Sequence, residues 1–134
     1  MEVHIQACET HQCKAIFSDS INANSSLFGG KAMQWMDEVA YITATRYTRE
    51  KMFTVKTKDI KFLKAIPLHS IIELVGKIKS CNGVSLEIKV EIYVEKMYEE
   101  GEKEKAIEGI FIFAALNDKN KPMRKKKTFN NQEA

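Results

Sequence analysis

One stretch of this chain reads as a long helix, and it is too apolar to lie on a surface. From Gly29-Gly30 to about Thr48 the sequence KAMQWMDEVAYITATRYT has no proline and repeats apolar residues at Met33, Met36, Ala40, Ala44 and Tyr47. At about 100° per residue, Ala32, Met33, Trp35, Met36, Val39, Ala40, Ile42 and Ala44 spread over more than half of the circumference, so more than half of the helix must be enclosed. The other patterned segments read as strands. Residues 3–17 are mildly amphipathic, and Ser18–Ser26 is a cluster of turn and capping residues, hence a loop. Phe53–Phe62 is β-compatible, and Ile71–Ile78 is a short apolar strand joined by the turn dipeptide Asn82-Gly83 to the next run. Val84–Val94 alternates strictly, with Val84, Leu86, Ile88, Val90, Ile92 and Val94 on one face, as in a half-buried antiparallel strand. Ala106–Leu116 is apolar on both faces, as a central or interface strand is. The order β-loop-α-β-β-β-β, with a helix that must be enclosed, predicts an α+β fold: a strongly curved antiparallel sheet of about five strands wrapped around one long central helix.

Composition narrows the function classes. The chain has 134 residues and a net charge of +3, the size of one domain. Six basic residues (Lys119, Lys121, Arg124, Lys125, Lys126, Lys127) and two acidic ones fall within Asn117–Ala134, which leaves a near-neutral body and a basic tail. We expect a single domain over residues 1–122 and a polar tail over 123–134. No apolar run is long enough to cross a membrane, and the N-terminus lacks the pattern of a secretory signal, so a soluble, unexported, cytoplasmic protein is expected. Three cysteines (Cys8, Cys13, Cys81) without a CxxC pair suggest reduced thiols and neither a disulfide framework nor a zinc ribbon. His4, His11 and His69 are scattered, so no metal site is expected. The run Arg124–Lys127 has no aromatic stacking platform beside it, which argues against nucleic-acid binding.

Two features of the helix can carry chemistry. Asp37 lies at the seam between the apolar arc and a polar arc formed by Lys31, Gln34, Glu38 and Thr45. A carboxylate there is partly desolvated and either bonds to a neighbouring side chain or acts on a ligand. Gly29-Gly30 opens the helix, where backbone N–H groups are unpaired and the dipole is positive. Glycine lets a carbonyl approach them, which outlines an oxyanion site; the same pair also simply eases the turn into a helix. Asn22, Asn24, Ser25 and Ser26 either cap the helix or orient a ligand above its end.

The segment from Asn22 to Ala40, NANSSLFGGKAMQWMDEVA, followed by Ala44 and Arg46, resembles the signature of the hotdog-fold acyl-CoA thioesterases. Thr54 ahead of VKTKDIKF, Gly83-Val84-Ser85 ahead of the alternating strand, and FIFAAL at Phe111–Leu116 extend the resemblance over roughly residues 7–122. It is similar to the short bacterial members and to each repeat of the tandem animal acyl-CoA hydrolases. The resemblance implies hydrolysis of acyl-CoA to a free carboxylic acid and CoA. Asp37 would be general base or nucleophile, the N–H of Gly29 or Gly30 would polarise the carbonyl, and Asn24 would position water or thioester. It implies no metal, no serine triad and no cofactor beyond the CoA of the substrate. It also implies a site between two subunits of a dimer, assembled further into a hexamer as a trimer of dimers.

Thr54, Lys56, Phe62, Gly83, Ser85 and Arg46 are expected at the acyl-CoA, with Lys58, Lys61, Lys64 and the tail lysines as further candidates for its phosphates. Ser25-Ser26 stands where relatives often have Gly-Asp, and Leu63–Ser70 departs from the usual turn. Two alternatives share the fold. A dehydratase would need a histidine paired with the helix acid, and a non-catalytic acyl-CoA sensor would have no use for Asp37.

Overall fold

The structure, a computed structural model, describes residues 8–116 and the backbone of 122–123. The expected basic tail lies outside the described residues except for Met123, as do Lys119, Lys121, Arg124–Lys127 and His4. Five long strands surround one helix: β1 (Thr10–Ala15), α1 (Gly29–Thr48), β2 (Met52–Phe62), β3 (Ser70–Cys81), β4 (Ser85–Lys96) and β5 (Glu104–Leu116), with a two-residue strand β6 (Pro122–Met123) against the end of β5. All pairings are antiparallel and the sheet order is β1-β3-β4-β5-β2. Hairpins join β3 to β4 and β4 to β5, while the helical crossover carries β2 to the far edge. The curved sheet around a central helix is the hotdog arrangement expected from the sequence.

The inner face is built from alternate residues. Leu86, Ile88, Val90 and Ile92 of β4 are fully buried, as are Ile72, Leu74 and Ile78 of β3. They meet Ala32, Met36, Val39, Ala40, Ala44 and Tyr47 of α1. Each large side chain so buried contributes about 1.5–3 kcal/mol. The helix crosses β3 most closely at Gly76, where a methyl group would stand 2.6 Å from Thr43 Oγ1 and 2.8 Å from Val39 Cγ1. Beside it the Thr43 hydroxyl donates to the Val39 carbonyl at 2.9 Å and lies 2.8 Å from the Thr10 hydroxyl, tying α1 to β1. At Gly109, on β5, a methyl group would overlap Cδ1 of Ile60.

Several boundaries differ from the sequence reading. β3 extends past Ile78 to Cys81, through a bulge between Ile78 and Ser80 that accommodates its polar residues. Val84 falls outside β4 and is exposed, because the Asn82 side chain accepts the N–H groups of Val84 (2.8 Å) and Ser85 (2.7 Å) and closes the turn there. The helix is less enclosed than its composition demands. Ile42 is 40% exposed, and Trp35 is half-buried beneath Lys14, whose Nζ lies 4.8 Å from the ring centroid. In one chain the sheet covers only the arc running through Ala32 to Tyr47.

β5 is interior in the sheet, flanked by β4 and β2, and its residues are buried on both faces. Its outer face carries Ile110 and Ile112 beside a charged network. There Glu91, only 7% exposed, meets Lys105 at 2.6 Å. Burial alone would raise the pKa of Glu91, yet the Lys105 ammonium outweighs it and holds the carboxyl below its ordinary range.

Candidate functional site

Two bulges in β2 decide which of its side chains face the helix. Thr54 pairs with Phe113 on the inner face, and the register shift before Lys56 turns that lysine outward beside Ile112. A second shift, at Lys58/Lys61, contains Asp59 in the left-handed region (φ 54°). Thr54 is therefore aimed at α1, and its hydroxyl donates to Asp37 Oδ1 at 2.7 Å. Asp37 is half-buried, with exposed Gln34 and Glu38 on its solvent side. It is a seam carboxylate, as the helical wheel requires, and its partner comes from β2.

The helix N-terminus is open. Phe28 occupies the cap position with φ −63° and ψ 130°, and no side chain caps the helix. The polar residues that were candidates for capping are used otherwise. Asn22 Oδ1 accepts the N–H groups of Asn24 (2.8 Å) and Ser26 (3.2 Å), Asn22 N–H donates to the Ser26 carbonyl (2.7 Å), and Ser25 takes φ 59°. The loop is thus closed on itself and pinned by Leu27 N–H to the Ile66 carbonyl (2.7 Å) and Phe28 N–H to the Ser20 carbonyl (2.9 Å). A helix without a side-chain cap keeps its first N–H groups available to a ligand.

Neither glycine of the pair has a positive φ. A methyl group at Gly29 would come no closer than 3.7 Å to Phe62, and one at Gly30 no closer than 3.9 Å to Phe28. Among the described residues nothing requires glycine at either position. Beside the pair runs a groove of about 530 Å³, lined by Asn22, Asn24, Phe62, Leu63 and Ile66 among others.

The expected site residues fall into separate groups. Gly29, Gly30, Asn24 and Phe62 gather at the helix N-terminus. Asp37 and Thr54 form a second group. Seven residues separate Gly30 from Asp37, about 10 Å along a helix. Lys56 faces outward on β2. Gly83 and Ser85 lie at the β3–β4 hairpin, where Ser85 is opposite Ala114, itself opposite Phe53, the neighbour of Thr54. Arg46 is not brought to either group: it lies on the β1 flank and donates to the Glu9 carbonyl at 3.2 Å.

Two features escaped the sequence reading. One is the pairing of Thr54 with Asp37, and the other is the Leu63–Ile66 segment as a groove wall. Apolar Leu63 and Ile66 so close to Pro67 were the available signal. Among the described residues no group of three His, Cys, Asp or Glu side chains is placed to hold a metal ion. His11 is held by Glu9 and Glu73, and His69 packs its ring against Tyr98.

The sequence pattern of the thioesterase superfamily matches residues 24–100, more than half of the chain. An uncharacterized acyl-CoA thioester hydrolase of Buchnera aphidicola subsp. Acyrthosiphon pisum is 34% identical over 106 residues, covering 78% of each protein. Another, YkhA of Bacillus subtilis, is 30% identical over 123 residues, covering 86% of this chain and 71% of that protein. Among solved structures, the acyl-CoA hydrolase of Staphylococcus aureus in complex with butyryl coenzyme A, coenzyme A and coenzyme A disulfide superimposes with a TM-score of 0.84. It is 25% identical, and the match covers 93% of this chain and 76% of that one. Structures of the same hydrolase exist with alanine in place of an aspartate and of a threonine.

Proposed function

The chain belongs to the thioesterase superfamily, and we propose that it hydrolyses acyl-CoA thioesters with Asp37 as general base. The observation that carries this reading is the Asp37 carboxylate, fixed by the Thr54 hydroxyl at 2.7 Å, on a helix whose glycine-led N-terminus has no side-chain cap. A thioester carbonyl is electrophilic and a thiolate leaves readily, so one carboxylate and a polarising N–H suffice for the reaction. Water attacks the carbonyl carbon and gives its proton to Asp37, while N–H groups of Gly29 and Gly30 hold the negative charge that develops on the carbonyl oxygen. As the tetrahedral intermediate collapses, the C–S bond breaks. The CoA sulfur takes the proton back from Asp37, and the acyl group leaves as a carboxylic acid. The reaction needs no cofactor. Asn24, on the loop above the helix end, positions the thioester, and the β2 lysines Lys56 and Lys61 face the CoA phosphates.

Gly30 and Asp37 lie about 10 Å apart along the helix, and the resemblance implies a site shared between two subunits. The reading therefore requires that a second copy supply the missing half, so that Asp37 of one subunit faces the glycine pair of its partner. The flank where this would happen suits such a contact. β2 is a free sheet edge there, and Val55, Phe62 and Tyr41 are exposed. Three such dimers would make the hexamer that the resemblance leads us to expect.

The test is release of free thiol from acyl-CoA by the purified protein. Asp37→Asn is expected to lower kcat by about 10²–10⁴-fold while acyl-CoA still binds. Full activity in Asp37→Asn, or a fully active monomer in light scattering, would end this mechanism.

A further inference from the structure

The groove beside the helix N-terminus has a mixed lining. Asn22, Asn24 and Ser26 bring polar groups to it, and Leu27, Leu63, Ile66 and Ile107 bring apolar ones. Among the described residues no carboxylate lines it, and the one charged lining group, Lys64, is already ion-paired with Glu104. A volume of about 530 Å³ is within the range of sites that bury small ligands. Phe62 is one of its lining residues, beside Gly29. It is the last residue of β2, opposite the buried Ile107 in the sheet, and its ring packs on Gly29, with Cζ 3.7 Å from where a β-carbon would be. Phe62 is 58% exposed, its neighbour Leu63 54%, and Phe28 beside Gly30 57%, so that together they leave exposed apolar side chains around the helix N-terminus.

We infer that Phe62 is the specificity-determining residue of this reaction: its ring separates the carbonyl-polarising N–H groups from an apolar groove that takes an unbranched, uncharged acyl chain. The inference rests on the thioesterase reading. A carbonyl placed on the helix N-terminus puts the first acyl carbons against the ring, and the rest of the chain passes it to the apolar groups of Leu27, Ile66 and Ile107. A terminal carboxylate on the acyl group would meet no unpaired cation in the groove. Chain length is then selected by the room beside the ring, because each methylene that finds apolar surface is worth about a fourfold gain in binding.

The test compares kcat/KM for butyryl-, octanoyl-, palmitoyl- and succinyl-CoA in the full-length protein. Phe62→Ala is expected to raise the palmitoyl-to-butyryl ratio by about tenfold or more, with Phe62→Leu between it and the parent. Ala65→Trp, which fills the groove from an exposed lining position, is expected to lower palmitoyl-CoA turnover by about tenfold and to spare butyryl-CoA. Succinyl-CoA is expected to be the poorest of the short substrates. A ratio unmoved by Phe62→Leu and Ala65→Trp in an active protein would overturn the inference. So would an equal loss at every chain length with dissociation of the assembly in light scattering, which would make Phe62 a subunit contact. Should Phe62→Ala fail to fold, the other two variants decide. If the parent protein cleaves none of these thioesters, the thioesterase reading fails instead.

Discussion

Two pairs of glycines divide this molecule. Gly76 and Gly109 lie inside the barrel, where a single methyl group would collide with Thr43 and Val39 or with Ile60. Gly29 and Gly30 lie at its lip, with ordinary negative φ and room for a side chain. The inner pair is explained by packing within the chain: it sets how closely the helix and the β2 bulge approach the sheet. Among the described residues the lip pair has no such explanation, and the oxyanion reading gives it one: room for a ligand carbonyl at the helix end.

The comparison fails if the lip glycines are replaceable without effect. Gly29→Pro is the sharpest probe, because it deletes an N–H where a helix tolerates proline and where Phe28 already has the extended backbone that proline requires before it. Tested singly, Gly29→Pro and Gly30→Val are expected to leave the melting temperature within a few degrees of the parent. The more damaging of the two is expected to lower kcat/KM by about 10²–10³-fold, the cost of losing an oxyanion donor. Thiol release and thermal melts read both; full activity in each would make the pair a turn and nothing more.

The opposite signature belongs to the barrel. Gly76→Ala forces the helix away from β3, and overpacking of this kind costs about 1–3 kcal/mol. The denaturation midpoint should fall while kcat of the folded fraction holds. At Gly109 the obstacle is the flexible end of Ile60, so Gly109→Ala should cost less, about 1 kcal/mol. Adding Ile60→Val removes the Cδ1 atom that the methyl group would meet, and the double variant should be more stable than additivity allows. Simple addition of the two costs would show that Ile60 is not the obstacle.

The smallest effect is expected on the β1 flank, the opposite edge of the sheet from β2. The Glu9 and then the Glu73 carboxylates, at 3.0 and 3.1 Å, raise the pKa of His11 above its ordinary 6.5. Chiefly Lys103, then His11, holds Glu73 below its ordinary 4.5. A raised histidine contributes stability that is complete below pH 6.5 and is lost as pH rises through the raised value. A lowered carboxylate contributes above pH 4.5 and loses that contribution as pH falls through its lowered value. His11→Gln should therefore destabilise most between pH 4.5 and 6.5, by less than about 1 kcal/mol because the pair is solvent-screened. Denaturation of the two proteins across that range would show it, and a difference that grows toward pH 8 would contradict it.

Much of this was legible along the chain because it is periodic. The alternation of Leu86, Ile88, Val90 and Ile92 marked an inner face, the both-sided apolarity of Ala106–Leu116 marked an interior strand, and Asn82-Gly83 marked a hairpin. What was not legible depends on local hydrogen bonds or on register. Asn22 looks as able to cap a helix as to close a turn, and only the folded loop shows that it does the latter. The bulge after Thr54 turns Thr54 inward and Lys56 outward, and no spacing rule announces a bulge. Arg46 was expected near substrate and lies instead on the β1 flank, nearly half a turn around the helix from Asp37.

The sequence by itself determined the architecture, because a helix that must be enclosed and strands of period two leave few packed solutions. It also marked Asp37 and the glycine pair, whose residue types suit a base and a polarising site. Only the tertiary structure decided which partner orients Asp37 and that the helix end is left without a side-chain cap. The reason is geometric. Period and composition place residues on a face, but a reaction depends on distances of a few ångströms between segments remote in sequence, and those are fixed by bulges, turns and the close crossing of helix and sheet.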